Sequence, residues 1–138
     1  MAANRRVASA SATGSGPDSR TVDLTSPTAI AFPAETNAGA DIVINSTGAS
    51  TTASGAVTAA SDVTVTAATS VTHLATTTAT AGNVTVNSGT STQLVGDVTS
   101  GVNTTVTAGT TAALEQNVTA GGNYTVTGGT GVALGDAE

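Results

Sequence analysis

One sequence feature constrains this chain more than any other: it repeats. The segments Asn83-Val-Thr-Val-Asn-Ser-Gly-Thr, Asn103-Thr-Thr-Val-Thr-Ala-Gly-Thr and Asn123-Tyr-Thr-Val-Thr-Gly-Gly-Thr follow one another at a constant spacing. Asp62-Val-Thr-Val-Thr-Ala-Ala-Thr, Asp41-Ile-Val-Ile-Asn-Ser-Thr-Gly and Thr21-Val-Asp-Leu-Thr-Ser-Pro-Thr continue the series toward the N-terminus. Self-similarity at a period of about 20 residues is the signature of stacked units that bury their apolar faces only against one another. The body therefore divides into about six rungs, starting at 21, 41, 62, 83, 103 and 123, so that the second and third are each longer by one than the rest.

Within each rung, apolar and polar residues alternate in three short segments, the pattern of strands with one buried face. In the first segment the inward pairs are Val22/Leu24, Ile42/Ile44, Val63/Val65, Val84/Val86, Thr104/Val106 and Tyr124/Val126. In the second they are Ile30/Phe32, Val71/Leu74, Thr92/Leu94, Ala112/Leu114 and Val132/Leu134. The wider spacing of Val71 and Leu74 places the extra residue of that rung near His73, as a bulge. A third segment runs around Val57, Val98 and Val118 and closes on small residues near Gly39, Ala60, Gly82, Gly101 and Gly121, expected at corners of unusual φ.

Three short strands at constant period exclude a sandwich, whose strand lengths and loops vary. The expected fold is all-β, a parallel β-solenoid, with right-handed coiling favoured by the crossover rule. Six rungs at about 4.8 Å would stand roughly 30 Å tall. Five Leu, three Ile, one Phe and one Tyr supply the large apolar side chains. Such a core leans on Val ladders and continuous backbone hydrogen bonding, and self-association into a homo-oligomer, a trimer being one candidate, would add to it.

Charge divides the chain in two. Arg5, Arg6 and Arg20 are its only Lys or Arg residues, whereas residues 21 to 138 carry eight carboxylates. The expected organisation is an N-terminal arm, residues 1–20, that is flexible or bound to a partner, followed by a solenoid domain, residues 21–138. The arm, through Arg5, Arg6 and Arg20, is the candidate partner-binding segment, with a shell protein or further copies of the chain as partner. Three arginines make a poor polyanion site and two aromatic residues cannot form a stacking platform, so nucleic acid is not an expected partner. No apolar run approaches the roughly 20 residues of a membrane span, and none near Met1 resembles a secretory signal, which suggests a route other than ordinary export.

Proline and acid fall at the ends. Pro27 and Pro33 lie in the first rung, where a lost ladder donor is tolerated, and Asp136 and Glu138 close the last one. Both ends are thus expected to resist runaway stacking.

Thr64, Thr66, Thr85, Thr105, Thr107, Thr125 and Thr127 occupy outward positions of the first strand in four of six rungs. This array resembles the TxT ladders of ice-binding β-solenoids, although Thr also fits any exposed strand. Asp41, Asp62, Asn83, Asn103 and Asn123 recur at one position and are read as a corner device in which stacked side chains bond up the ladder. Two carboxylates in that column make a weak calcium site, so no metal is expected. The N-x-S/T matches at Asn45, Asn83, Asn103, Asn117 and Asn123 follow from the abundance of Thr.

Catalysis has little to draw on. His73 is the single histidine, there is no Cys, the acids Asp23, Glu35, Asp97 and Glu115 are scattered, and no phosphate-cradling glycine motif occurs. No catalytic residue, cofactor or metal is assigned. In architecture and composition the chain resembles phage structural β-helix proteins that decorate capsids or form fibres. The resemblance implies a non-enzymatic virion protein, decorating or cementing a phage capsid through its arm. The alternatives are a secreted surface adhesin or filament subunit, and an ice-binding solenoid.

Overall fold

A computed structural model describes residues 21–32 and 35–135, and in them the chain is a parallel β-solenoid of about six turns without a helix. The first sheet stacks β1 (Val22–Ser26), β4 (Ile42–Ser46), β7 (Val63–Ala67), β10 (Val84–Ser88), β13 (Thr104–Ala108) and β16 (Tyr124–Gly128). The second stacks β2 (Ile30–Phe32), β5 (Thr51–Ala53), β8 (Val71–His73), β11 (Thr92–Leu94), β14 (Thr111–Leu114) and β17 (Gly131–Leu134). The third contains β3 (Thr36–Ala38), β6 (Val57–Ala59), β9 (Thr77–Ala79), β12 (Val98–Ser100) and β15 (Val118–Ala120). The side chain of Phe32, residues 1–20 with Arg5, Arg6 and Arg20, and Pro33, Asp136 and Glu138 lie outside the described residues.

Alternation decides which side chains enter the core. Ile42, Ile44, Val63, Val65, Val84, Val86 and Val106 are fully buried, and they stack in register, Ile44 on Val65, Val86 and Val106 in turn. Burying a Val or Ile side chain is worth about 1.5 to 3 kcal/mol, and each rung contributes to one continuous ladder of them.

Two sequence expectations are overturned. His73 is not at a bulge: it faces inward, in register with Ala53 below and Leu94 above, while Leu74 points out and is 50% exposed. The extra residues sit at corners instead. Ser26 pairs with Ser46 but Ile30 with Thr51, an offset larger by one, so the second rung gains its residue between Ser46 and Thr51. Likewise Ala59 pairs with Ala79 and Val63 with Val84, placing the third rung's extra residue between Ala79 and Val84. A corner absorbs an insertion without turning any strand over, whereas an insertion inside a strand would move every later side chain to the other face.

The second overturned expectation concerns the corners. Among the described residues none has positive φ, glycine included. Glycine serves close approach rather than left-handed backbone. A Cβ built on Gly109 would run into the Gly89 carbonyl oxygen one rung below, and one on Gly89 into that of Ala68. At Gly89 and Gly109 the rungs approach so closely that only hydrogen fits, whereas Thr47 and Ala68 hold the equivalent place lower in the stack.

Corners are also tied from within. Ser88 Oγ lies 2.8 Å from Thr92 Oγ1 across the first corner, and Ser100 Oγ lies 2.9 Å from Thr104 Oγ1 across the third. His73 Nδ1, 3.0 Å from Thr77 Oγ1, spans the second. All are buried, and all join residues four apart. Each pairing satisfies polar groups that would otherwise be costly in a dry core.

The two ends differ chemically. At the residue that follows each first-sheet strand, Thr47, Ala68, Gly89, Gly109 and Gly129 donate their N–H to the rung below. Pro27 occupies the same position in the first rung and has no N–H to give. The N-terminal face thereby loses a donor that would point away from the molecule, as the sequence expects. Among the described residues, the C-terminal face exposes apolar side chains: Tyr124, Val132 and Leu134 are 40, 45 and 54% exposed, in register with inward-facing Thr104, Ala112 and Leu114.

Candidate functional site

The threonine array forms as the sequence predicts. Thr64, Thr85, Thr105 and Thr125 are cross-strand partners in one outward column of the first sheet, with Val43 and Asp23 beneath them. Thr66, Asn87, Thr107 and Thr127 form the second column, above Asn45 and Thr25. The columns are separated by about 6.8 Å along the strand and the rungs by about 4.8 Å, which gives a lattice of hydroxyl and methyl groups broken at Asn87. A second array, missed in the sequence although its period is the same, lies on the third sheet. Thr58, Thr78, Thr99 and Thr119 stack outward there above Asn37, each at the middle of the segments that begin at Val57, Thr77, Val98 and Val118.

The Asx column is a built ladder. Asp62 N–H donates to Asp41 Oδ1 at 3.1 Å, Asn83 N–H to Asp62 Oδ1 at 2.7 Å, Asn103 N–H to Asn83 Oδ1 at 3.2 Å and Asn123 N–H to Asn103 Oδ1 at 2.8 Å. The Asn83 and Asn103 amides add Nδ2 donors to the same oxygens below them, at 3.1 and 3.2 Å. Each side chain thus caps the start of the strand one rung above it, satisfying an N–H that the corner leaves free. A threonine column at the first corner does the converse: Thr110 Oγ1 donates to the Thr90 carbonyl at 3.0 Å and Thr130 Oγ1 to that of Thr110 at 3.1 Å. The Gly-Thr ending of three repeat segments is the signal for it.

The titratable groups do not converge. Among the described residues no three His, Cys, Asp or Glu side chains gather in a form able to hold a metal ion. His73 is 1% exposed, and burial pushes its pKa down to about 4, so the ring is neutral near pH 7. Its Nε2 and the Thr51 hydroxyl are buried without a hydrogen-bond partner in the protein. Partial burial raises the pKa of Tyr124 above the usual phenol value.

A concavity lies at the C-terminal end of the described residues. Leu114, Gln116, Val118, Tyr124, Leu134 and Gly135 line a notch of about 120 Å³. Its origin is topological. The first and second sheets have six strands and the third has five, so among the described residues nothing pairs with the upper edge of β15. The notch lies where the sixth strand of that sheet would continue the stack.

Comparison with known protein families, with curated proteins and with solved structures finds no match for this chain.

Proposed function

We propose that this protein is a non-enzymatic structural component of a virion, a solenoid that decorates or cements a phage capsid and is held there by residues 1–20. The observation that carries the reading is the division of charge: Arg5, Arg6 and Arg20 precede Thr21, and no Lys or Arg follows it. An arm holding every Lys and Arg of an otherwise acidic chain is suited to bind carboxylates on a neighbour. A body built from registered ladders offers rigidity at little cost in specific chemistry. Its one imidazole is sealed inside the core, where it cannot exchange protons with a bound substrate.

The test is deletion of residues 2–20. The melting temperature of the body should change little, while recovery of the protein with purified particles should be lost. Undiminished incorporation of the truncated chain would transfer the contact to the solenoid faces. A genomic neighbourhood of secretion genes in place of capsid and portal genes would favour the adhesin instead.

A second reading rests on the registered threonine columns of the first sheet. Their regular spacing suits an ordered water layer, and ice is the ligand they would meet.

A further inference from the structure

Two buried side-chain atoms have no hydrogen-bond partner in the protein, the Thr51 hydroxyl and His73 Nε2. Thr51 is 0% exposed and His73 1%. Both residues face inward on the second sheet, Thr51 in β5 and His73 in β8, on rungs that pair directly.

The orphaned hydroxyl has a cause in the sequence. Ser46, Ala67 and Ser88 are register partners, and so are Thr51, Val71 and Thr92. In the fourth rung Ser88 and Thr92 stand four residues apart, and their hydroxyls meet across the first corner at 2.8 Å. Ser46 and Thr51 stand five apart, because this corner takes the second rung's extra residue. Ser46 Oγ donates instead to the Thr28 carbonyl one rung below, at 2.8 Å. Thr51 thereby lacks the partner that its equivalent Thr92 keeps, and an insertion that leaves every strand in register strands one hydroxyl in the core.

The imidazole presents its second nitrogen from the rung above. Nδ1 is held by Thr77 across the second corner, and the two ring nitrogens flank Cε1 and point apart, so Nε2 is directed away from that corner into the core. Directly beneath the ring is Ala53, the smallest member of an inward column that continues upward as Leu94 and Leu114. Thr51 and His73 are one rung and two residues apart, which in a parallel sheet separates their Cα atoms by about 8 Å. Both side chains point to the same side of that sheet, and no direct hydrogen bond joins them.

We propose that one water molecule is bound inside the core between the second and third rungs, bridging Thr51 Oγ1 and His73 Nε2. Water both donates and accepts, so it satisfies the hydroxyl and either neutral tautomer of the ring at once. A buried water needs at least two polar partners, and these two atoms supply them. A cation is the wrong occupant. None of Asp23, Glu35, Asp41, Asp62, Asp97 and Glu115 is buried, so no counter-charge faces the core, and an ion there would be uncompensated. A single water does not replace bulk solvation either, and the ring stays neutral with it bound.

The experiment compares the full chain with a triple variant, Thr51→Val with His73→Leu and Thr77→Val. Each substitution copies the residue one rung above, Val71, Leu94 and Val98, so the variant uses side chains already accommodated in this core. Magnetic relaxation dispersion of the solvent oxygen nucleus counts water molecules that stay inside a protein far longer than surface water does. The parent should show one long-lived water more than the triple variant. Thr51→Val alone should remove the same water, since the remaining nitrogen is a single partner. A crystal structure of the parent should place one water within about 3.2 Å of both Thr51 Oγ1 and His73 Nε2.

An equal count of long-lived waters in the parent and the two variants overturns the proposal. So does a crystal structure in which the hydroxyl bonds Nε2 directly, or in which each atom is bonded to a different group with no shared water. If the variants do not melt cooperatively, the crystal structure of the parent decides alone.

Discussion

His73 Nδ1 and Thr77 Oγ1 meet at 3.0 Å across a buried corner, and the register partners of this polar pair one rung above are Leu94 and Val98. A hydrogen-bonded pair and an apolar pair therefore fill equivalent places in one core. The imidazole is accommodated because Thr77 takes up Nδ1, and it is held neutral because burial strips water from the charged form.

This makes acid the selective stress for the third rung. The folded-state pKa of about 4 lies below the ordinary value of 6.5, so between these values the unfolded chain binds a proton that the folded chain refuses. Stability is unaffected by this group above pH 6.5 and declines as pH falls toward 4, by about 3 kcal/mol in total. The double variant His73→Leu with Thr77→Val copies the rung above. Chemical denaturation at pH 7 and at pH 4.5 should show a smaller loss for the variant than for the parent. Equal losses would place the acid sensitivity elsewhere.

Val86→Asp tests the register. Val86 is fully buried between Val65 and Val106, and residues 21–138 contain no Lys or Arg to pair with an introduced carboxylate. The cost of several kcal/mol should prevent folding. The same change at half-buried Val126 in the last rung should be tolerated better. A cooperative melt for Val86→Asp close to that of the parent would mean that this face is not the core.

Asn83→Ala removes the acceptor for Asn103 N–H and Nδ2 and a donor to Asp62, so it should cost about 1 to 2 kcal/mol. Asn123→Ala should cost less than about 0.5 kcal/mol, since the side chain stands exposed at the last rung and only its backbone N–H joins the ladder. Thermal melting of the two variants distinguishes a ladder from a set of independent surface amides.

Thr105→Leu with Thr125→Leu interrupts the outward column at two successive rungs without touching the core. If the parent shows thermal hysteresis, the variant should lose it while keeping its melting temperature within a few degrees. A parent without hysteresis removes the ice-binding reading.

Most of the fold was written in the first-sheet strands, where the inward β-branched pairs recur without exception from Ile42 to Val86 and fix both face and register. The second sheet was harder to read. Leu74, Leu94, Leu114 and Leu134 recur at one spacing, and hydropathy alone puts all four inside. The structure instead aligns His73 with Leu94, because a polar side chain with a partner four residues away can be buried and a leucine at a corner can be left out. Partnership across a corner is invisible to hydropathy. The Asx ladder was legible because its spacing is strict. The notch was not, since it arises from an unequal number of strands rather than from any residue in it.

Each rung of this solenoid pairs only with the ones directly above and below, in a nearly constant register offset from one end to the other. Distance along the axis is therefore counted, not shaped: one further repeat adds about 4.8 Å and leaves every other contact as it was. A chain of this kind can act as a molecular ruler, with its reach set by the number of repeats and its two ends free to specialise independently of its length.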